Sequence, residues 1–338
     1  MELGGDSRLV AELLRLADGS RGLDELTEEL APLGANRQDV GAAVEALTEE
    51  GVLDDATEQE AVLGSRDGAR FERQLAYFAD MGPSWTAALE TQQRLGEATV
   101  CMLGLGGLGS WAGWALASAG IGVLVGVDCD SIEVSNLNRQ ILYEEADLGR
   151  PKAQVAGERL ARFRAALRYE GIERELGDVE AIRDVVRGAD FVVDTLDWPP
   201  RRVTRWVAEA CFREGIPYIA LSQHPPLIRI GPLYVPGETG CFACQELAYE
   251  DAYPLYGTLA TSRPLCPPSA TFGPACGAAG VLAANEAIAW LTGLYPPSTI
   301  GSAAILDLRT LRIEHEPVDR RATCDLCADR GGHQAVVA

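Results

Sequence analysis

Strand-like and helix-like segments alternate from residue 99 onward, a glycine-rich turn joins the first such strand to its helix, and an aspartate closes the second strand. Together these predict an α/β fold, doubly wound around a mostly parallel sheet, because parallel strands need crossover helices between them. Ahead of that fold, residues 1–65 read as a separate small helical domain.

Leu9, Val10, Leu13, Leu14 and Leu16 repeat at helical spacing, as do Leu23, Leu26 and Leu30, and then Val40, Val44 and Leu47. Gly51 supplies the stop for the third helix. Val52-Leu53 and Ala61-Val62-Leu63 flank the polar stretch Asp54–Glu60 as a hairpin would, so three helices and a hairpin predict a winged helix. Residues 66–96 read as helical connecting material. Strands are expected at Thr99–Leu103, Val123–Val127, Phe191–Asp194 and Tyr218–Leu221, with helices from Leu108 to Ala119 and near 152–166, 179–187 and 201–214. Two further strand pieces, Leu227–Ile230 and Leu233–Val235, precede a helix at Ala278–Leu291 and a late strand pair at Ala304–Leu308 and Leu311–His315. Between them Tyr253–Gly273, rich in proline and small residues, suits a mobile crossover loop over a site. The expected division is residues 1–65 and 66–338.

A net charge of −21 leaves no basic stripe for a nucleic-acid partner. The excess is uneven: residues 1–70 hold 17 acidic side chains against 6 arginines. Such a head either favours a basic peptide or keeps a small domain soluble. No run approaches the roughly eighteen apolar residues of a membrane span, and Met1–Asp6 lacks the features of a signal peptide, so no membrane and a cytoplasmic location are expected. Nine cysteines without a secretion signal point to metal or thiol chemistry. Cys241-Phe-Ala-Cys244 and Cys324-Asp-Leu-Cys327 have the spacing to supply four thiolates to one structural zinc, clipping the C-terminal tail to the body; two unrelated thiol pairs or a redox motif are the alternatives.

Only one of the 29 basic residues is lysine, and it stands in the densest motif region. The turn Gly104-Leu-Gly106-Gly107-Leu-Gly109 offers backbone N–H groups to a phosphate at a helix N-terminus. Asp128, with Asp130 beside it, ends the second strand where an acid binds ribose hydroxyls. Up to that point a dehydrogenase fits equally. Next come Asn136-Leu-Asn138-Arg139-Gln140, then Gly149-Arg-Pro-Lys152 opening a helix, and Asp194-Thr-Leu-Asp197 closing a strand. Arg139, Lys152 and the carboxylate of Asp197 around one nucleotide describe a site for ATP and Mg²⁺ rather than for a nicotinamide.

The strings GLGGLGS, DCDSIEVSNLNRQIL, GRPK and DTLD resemble those of the ThiF/MoeB-type adenylyltransferases, over roughly residues 70–330. The resemblance implies a Rossmann-like adenylation domain in a homodimer that adenylates a carboxylate with ATP. It implies that Asp128 binds the ribose, that Asn136, Arg139 and Lys152 bind the phosphates, that Asp197 serves Mg²⁺, and that the paired cysteines hold zinc. Arg70-Phe-Glu-Arg73-Gln resembles the family's N-terminal motif, which makes Arg73 the candidate finger into the partner subunit's ATP. One departure is plain: Trp198-Pro-Pro-Arg201 follows Asp197, where the family usually places asparagine.

Residues 1–65 are similar to PqqD-like leader-binding domains, as in the microcin C-type peptide adenylyltransferases. The reading is then adenylation of a carboxyl group on a ribosomal precursor peptide whose leader these residues bind. The alternative is activation of the C-terminal Gly-Gly of a ubiquitin-like sulfur carrier. Cys101, Cys129 and Cys211 read as small core residues, whereas Cys266 and Cys276 lie where some relatives form a thioester.

Overall fold

In the computed structural model of the chain, which describes residues 7–53, 66–82, 84–256 and 270–328, three short helices open the fold. They are α1 (Ser7–Leu16), α2 (Leu23–Leu30) and α3 (Arg37–Glu49). The apolar periodicity works as expected: Leu13, Leu16, Leu26, Leu30, Val40 and Leu47 form their common core, while Leu14 stays exposed. Asn36 caps α3 by accepting from the backbone N–H of Gln38 (2.9 Å) and Asp39 (3.1 Å), and the Asp39 carboxylate returns a bond to Asn36 N. Gly51 follows with φ 67°, a turn conformation suited to glycine. The expected hairpin over 54–63 and the boundary at residue 65 lie outside the described residues.

Two longer helices, α4 (Arg66–Met81) and α5 (Trp85–Glu97), take the place of the connecting material, with Phe71, Leu75 and Trp85 packed together. The chain separates into two units, Met1–Gln93 and Arg94–Ala338.

The second unit is built on one eight-stranded sheet in the order β3-β2-β1-β4-β5-β6-β7-β8. Its strands are β1 (Thr99–Leu103), β2 (Val123–Val127), β3 (Arg168–Ile172), β4 (Phe191–Asp194), β5 (Tyr218–His224), β6 (Leu227–Tyr234), β7 (Ser302–Asp307) and β8 (Arg312–Pro317). The first five pair in parallel and the last three extend the sheet antiparallel. Helices α6 (Gly107–Ala119), α7 (Lys152–Phe163), α8 (Val179–Val186) and α9 (Arg202–Glu214) make the crossovers; α10 (Phe242–Ala252) and α11 (Gly273–Thr292) follow β6. β1 sits between β2 and β4, so the strand order reverses there and opens a crevice at the carboxyl ends.

Strand β3 was not expected: Arg168-Tyr-Glu-Gly-Ile172 is a mostly exposed edge strand without the apolar run of its neighbours. The two pieces at 227–235 form one strand, whose register with β5 shifts between Ile219 and Leu221. The expectation about apolar runs also needs correction. Helix α11 is long and apolar enough, by length and composition, to cross a bilayer, with mean hydropathy 1.2. It is 56% buried inside the fold, and its hydropathy comes from seven alanines together with Val281, Leu282, Ile288 and Leu291. Ala279, Ala283 and Ala287 pack in the main core, and a Cβ on Gly280 would stand 2.7 Å from Leu108 O on α6.

Candidate active site

Contacts in the glycine turn leave no room for side chains at Gly104, Gly107 and Gly109. Gly104 has φ 90°, and the Thr195 hydroxyl donates to the carbonyls of Leu103 (2.9 Å) and Gly104 (3.1 Å) behind it. A Cβ on Gly109 would lie 2.0 Å from Gly104 O, and one on Gly107 would meet Cys276 Sγ at 2.8 Å and Arg139 Cδ at 3.3 Å. Gly106 is the N-cap of α6 and provides no side-chain cap, so the N–H groups of the first turn remain available to an anion.

Asp128 anchors the other wall. Its Oδ2 accepts from Leu105 N (2.8 Å) and its Oδ1 from Asp130 N (2.9 Å), leaving lone pairs on both oxygens for hydroxyl donors. Burial pushes its carboxyl pKa up, and the Lys152 ammonium opposes that rise. Lys152 opens α7; its backbone N donates to Asp130 O (2.9 Å) and its Nζ to Asp130 Oδ2 (2.7 Å). It is a buried side chain rather than a free surface charge.

Asn136 is buried and caps its own turn, its Oδ1 accepting from Glu133 N at 3.1 Å. Asn138 is exposed, and Arg139 Nη1 donates to Ser135 O (2.7 Å) and Asn138 Oδ1 (2.9 Å). Next to them the buried Gln140 has an Oε1 with no protein partner, 3.7 Å separating its Nε2 from where a Gly106 Cβ would stand. An orphaned acceptor beside the glycine turn marks a place for a donor from a ligand or solvent.

Asp194 is fully buried at the end of β4, where it accepts from Leu196 N at 3.1 Å. Burial lifts its carboxyl pKa to about 7, with the charge of Asp197 adding to the rise. Asp197 itself is exposed, and Trp198 beyond it is exposed too. Arg201 then takes a backbone conformation of φ 62° and ψ −45°, rare for a side-chain-bearing residue and costing on the order of 1–3 kcal/mol. Its guanidinium donates to Glu246 Oε1 through Nε (3.0 Å) and Nη2 (2.9 Å) and lies 4.9 Å from the Tyr256 ring centroid.

The four paired cysteines converge. Cys241 and Cys324 sulfurs are 3.5 Å apart, Cys244 and Cys327 3.4 Å, Cys241 and Cys244 3.9 Å, and all four lie within 4.8 Å of one another in a buried site. Metal–sulfur bonds of ~2.3 Å in a tetrahedron require sulfurs about 3.8 Å apart, so the set fits zinc. Burial first, and the neighbouring cysteine sulfurs after it, push the Cys241 thiol well up and that of Cys327 up to about 12; a divalent cation would reverse this by binding thiolates.

Of the other cysteines, Cys101 and Cys211 are core residues as expected. Cys129 is not: it is exposed between Asp128 and Asp130, because it lies past the end of β2, where the chain leaves the sheet. Cys276 is buried in the first turn of α11, 3.6 Å from Gln223 Nε2, and burial raises its pKa. Cys266 lies outside the described residues. Arg73 is an exposed residue of α4 in the first unit. The sequence reading passed over Thr195 and Glu246. Thr195 stood inside the Asp194–Asp197 string, whereas nothing local marked Glu246.

An uncapped glycine turn at a strand-order reversal, an acid at the next strand end and a buried lysine beside it define a nucleotide-binding α/β enzyme. The chain belongs to the ThiF family, which matches residues 71–326, and it is an ATP-dependent adenylyltransferase. It is 32% identical over 273 residues to the sulfur carrier protein ThiS adenylyltransferase of Escherichia coli (strain K12), covering 81% of this chain and 99% of that protein. In fold it is similar to E. coli MccB, solved with AMPCPP and MccA (TM-score 0.71, 24% identity, 95% of this chain and 89% of that one). It is likewise similar to PaaA (TM-score 0.73, 23% identity, 94% and 92%).

Proposed function

We propose that this chain adenylates a carboxyl group on a ribosomally synthesised precursor peptide, releasing pyrophosphate, as a step in peptide natural-product maturation. The observation that carries this reading is coverage. The family match begins at residue 71, and the ThiS adenylyltransferase is spanned almost entirely by 81% of this chain. The likeness to MccB, by contrast, extends over 95% of it. MccB is described as a microcin C7 biosynthetic enzyme and was solved in complex with N-formylated MccA. The longer likeness takes in the N-terminal helices, and we read them as serving a peptide substrate rather than a carrier protein. We assign residues 1–65 as the domain that binds the leader of the precursor, and residues 66–338 as the adenylation domain.

The reaction itself asks little of acid–base chemistry. A carboxylate oxygen attacks the α-phosphorus of ATP, the bond to the β-phosphate oxygen breaks, and an acyl-adenylate and pyrophosphate result. The protein must hold the reactants in line and offset the charge on the leaving group. The N–H groups after Gly106, with Gly104, Gly107 and Gly109 keeping the space open, cradle phosphate. Asp128 receives the ribose; Asp130 orients Lys152; Lys152 and Arg139 face the phosphates, with Asn136 and Asn138 holding the Arg139 turn. Mg²⁺ held by Asp197 would supply charge neutralisation at the pyrophosphate. The four cysteines would hold zinc as a fastening. In a homodimer, Arg73 would reach the partner subunit's ATP.

Exchange of labelled pyrophosphate into ATP in the presence of the cognate precursor tests the reading. The full chain should exchange, and a chain lacking residues 1–65 should lose peptide-dependent exchange while still binding ATP. Undiminished exchange by the truncated protein would remove leader binding. The second reading, a sulfur-carrier adenylyltransferase, draws on the 32% identity to the ThiS enzyme. Its signature is a thioester to a carrier protein's C-terminal glycine on Cys276 or Cys266.

A further inference from the structure

We propose that Glu246 is a positioning residue for the nucleotide site, holding the Asp197–Arg201 loop in place and tying it to the cysteine cluster. The proposal rests on the assignment of Asp197 to Mg²⁺. Glu246 lies on α10 two residues after Cys244, with only 8% of its side chain exposed. Both its oxygens are engaged by arginine: Oε1 by Arg201 at 3.0 and 2.9 Å, Oε2 by Arg205 Nη1 at 3.0 Å. Arg205 Nη2 in turn pairs with Asp325, which stands between Cys324 and Cys327. A chain of ion pairs thus runs from the cysteine tail through Arg205 and Glu246 to Arg201.

Three features make this a strut for the loop rather than another tie between helices. Helices α9 and α10 already share an apolar core through Val207, Ala208 and Ala243. Arg201 is the N-cap of α9, outside its regular backbone, and its φ of 62° would relax without its guanidinium bonds. Between Arg201 and Asp197 stand Pro199 and Pro200, whose fixed φ makes the segment stiff, so the placement of Arg201 is passed to Asp197. A buried carboxylate shared by two guanidiniums is costly to break one partner at a time.

The test is ATP binding by the full chain, measured by calorimetry in metal-free buffer and again with Mg²⁺, for the parent, Asp197→Asn and Glu246→Gln. The parent should gain affinity with Mg²⁺, and Asp197→Asn should lose most of that gain. Glu246→Gln should lose about tenfold of the Mg²⁺-dependent affinity, as expected when a residue orienting a metal-binding carboxylate is removed. Its affinity without Mg²⁺ should stay within about twofold of the parent and its zinc content should be unchanged. A fully Mg²⁺-dependent Glu246→Gln beside a defective Asp197→Asn overturns the strut alone. An unaffected Asp197→Asn, or a parent indifferent to Mg²⁺, overturns the assignment of Asp197 and the strut with it. If Glu246→Gln does not fold, Arg201→Gln, which leaves Glu246 paired with Arg205, decides by the same comparison.

Discussion

The ammonium of Lys152 lies 2.7 Å from Asp130 Oδ2, yet the lysine is 5% exposed while the Asp130 side chain is 64% exposed. The pair is therefore lopsided, a sheltered cation gripped by a carboxylate open to solvent. An incoming phosphate can share the ammonium from the open side without dragging it from its slot. Lysine brings a slim four-carbon stem ending in a point charge to this sheltered place, whereas arginine would bring a planar fork of different shape.

Lys152→Arg should consequently weaken ATP binding by about tenfold, the equivalent of one charge-assisted hydrogen bond of roughly 1.5 kcal/mol. Titration calorimetry with ATP checks this. Near-parental affinity in the arginine variant would mean that charge alone, not shape, is used.

Gly109→Ala should be worse for the fold than for any ligand. Its Cβ would stand 2.0 Å from the Gly104 carbonyl oxygen, a backbone atom that no side-chain rotation relieves. A loss of about 1–3 kcal/mol is expected for such forced repacking, read as a lower midpoint in urea unfolding. An alanine variant as stable as the parent would contradict the tight turn.

Asp194 predicts a pH effect with a definite sign. Its buried carboxyl keeps a proton up to about pH 7, whereas in the unfolded chain the same group ionises near 4. Folding takes up a proton between those values, so this residue's contribution to stability falls as pH rises from about 4 to about 7 and is level above. Asp194→Asn keeps an acceptor for Leu196 N and removes the titration. Relative to the variant, the parent should lose up to roughly 1.4 kcal/mol per pH unit across that window. Parallel stability curves for the two proteins would sink the idea.

Zinc should be present at about one per chain by elemental analysis. Cys324→Ser should release it and speed proteolysis after Val318, because the tail is then fastened by too few ligands. Unchanged metal content in that variant would argue for separate thiol pairs.

Much of the architecture was legible in the sequence, for physical reasons that differ by region. Strands β1, β2 and β4 announce themselves because a parallel strand buried on both faces must be an apolar run. Strand β3 escaped because its edge position relaxes that demand. Asp128 and Lys152 were legible as motif members, but their grip on Leu105 N and Asp130 was not, since spacing does not encode which partner a charge finds. Cys129 was misread because it lies two residues past the end of β2, where the chain has left the sheet and the position is open. Glu246 gave no local sign, as its two arginines lie 45 and 41 residues away.

The cysteine cluster also bears on how the chain is made. Cys241 and Cys244 leave the ribosome long before Cys324 and Cys327, with β7 and β8 emerging in between. During vectorial synthesis, strands β1 to β5 have their partners available early, whereas the cluster must wait for its last two sulfurs. Until then, two reduced thiols sit exposed to oxidants and stray metal. A metal ion filling the cluster would thus be bound only after both strands of the β7–β8 pair have emerged, late relative to the parallel half of the sheet.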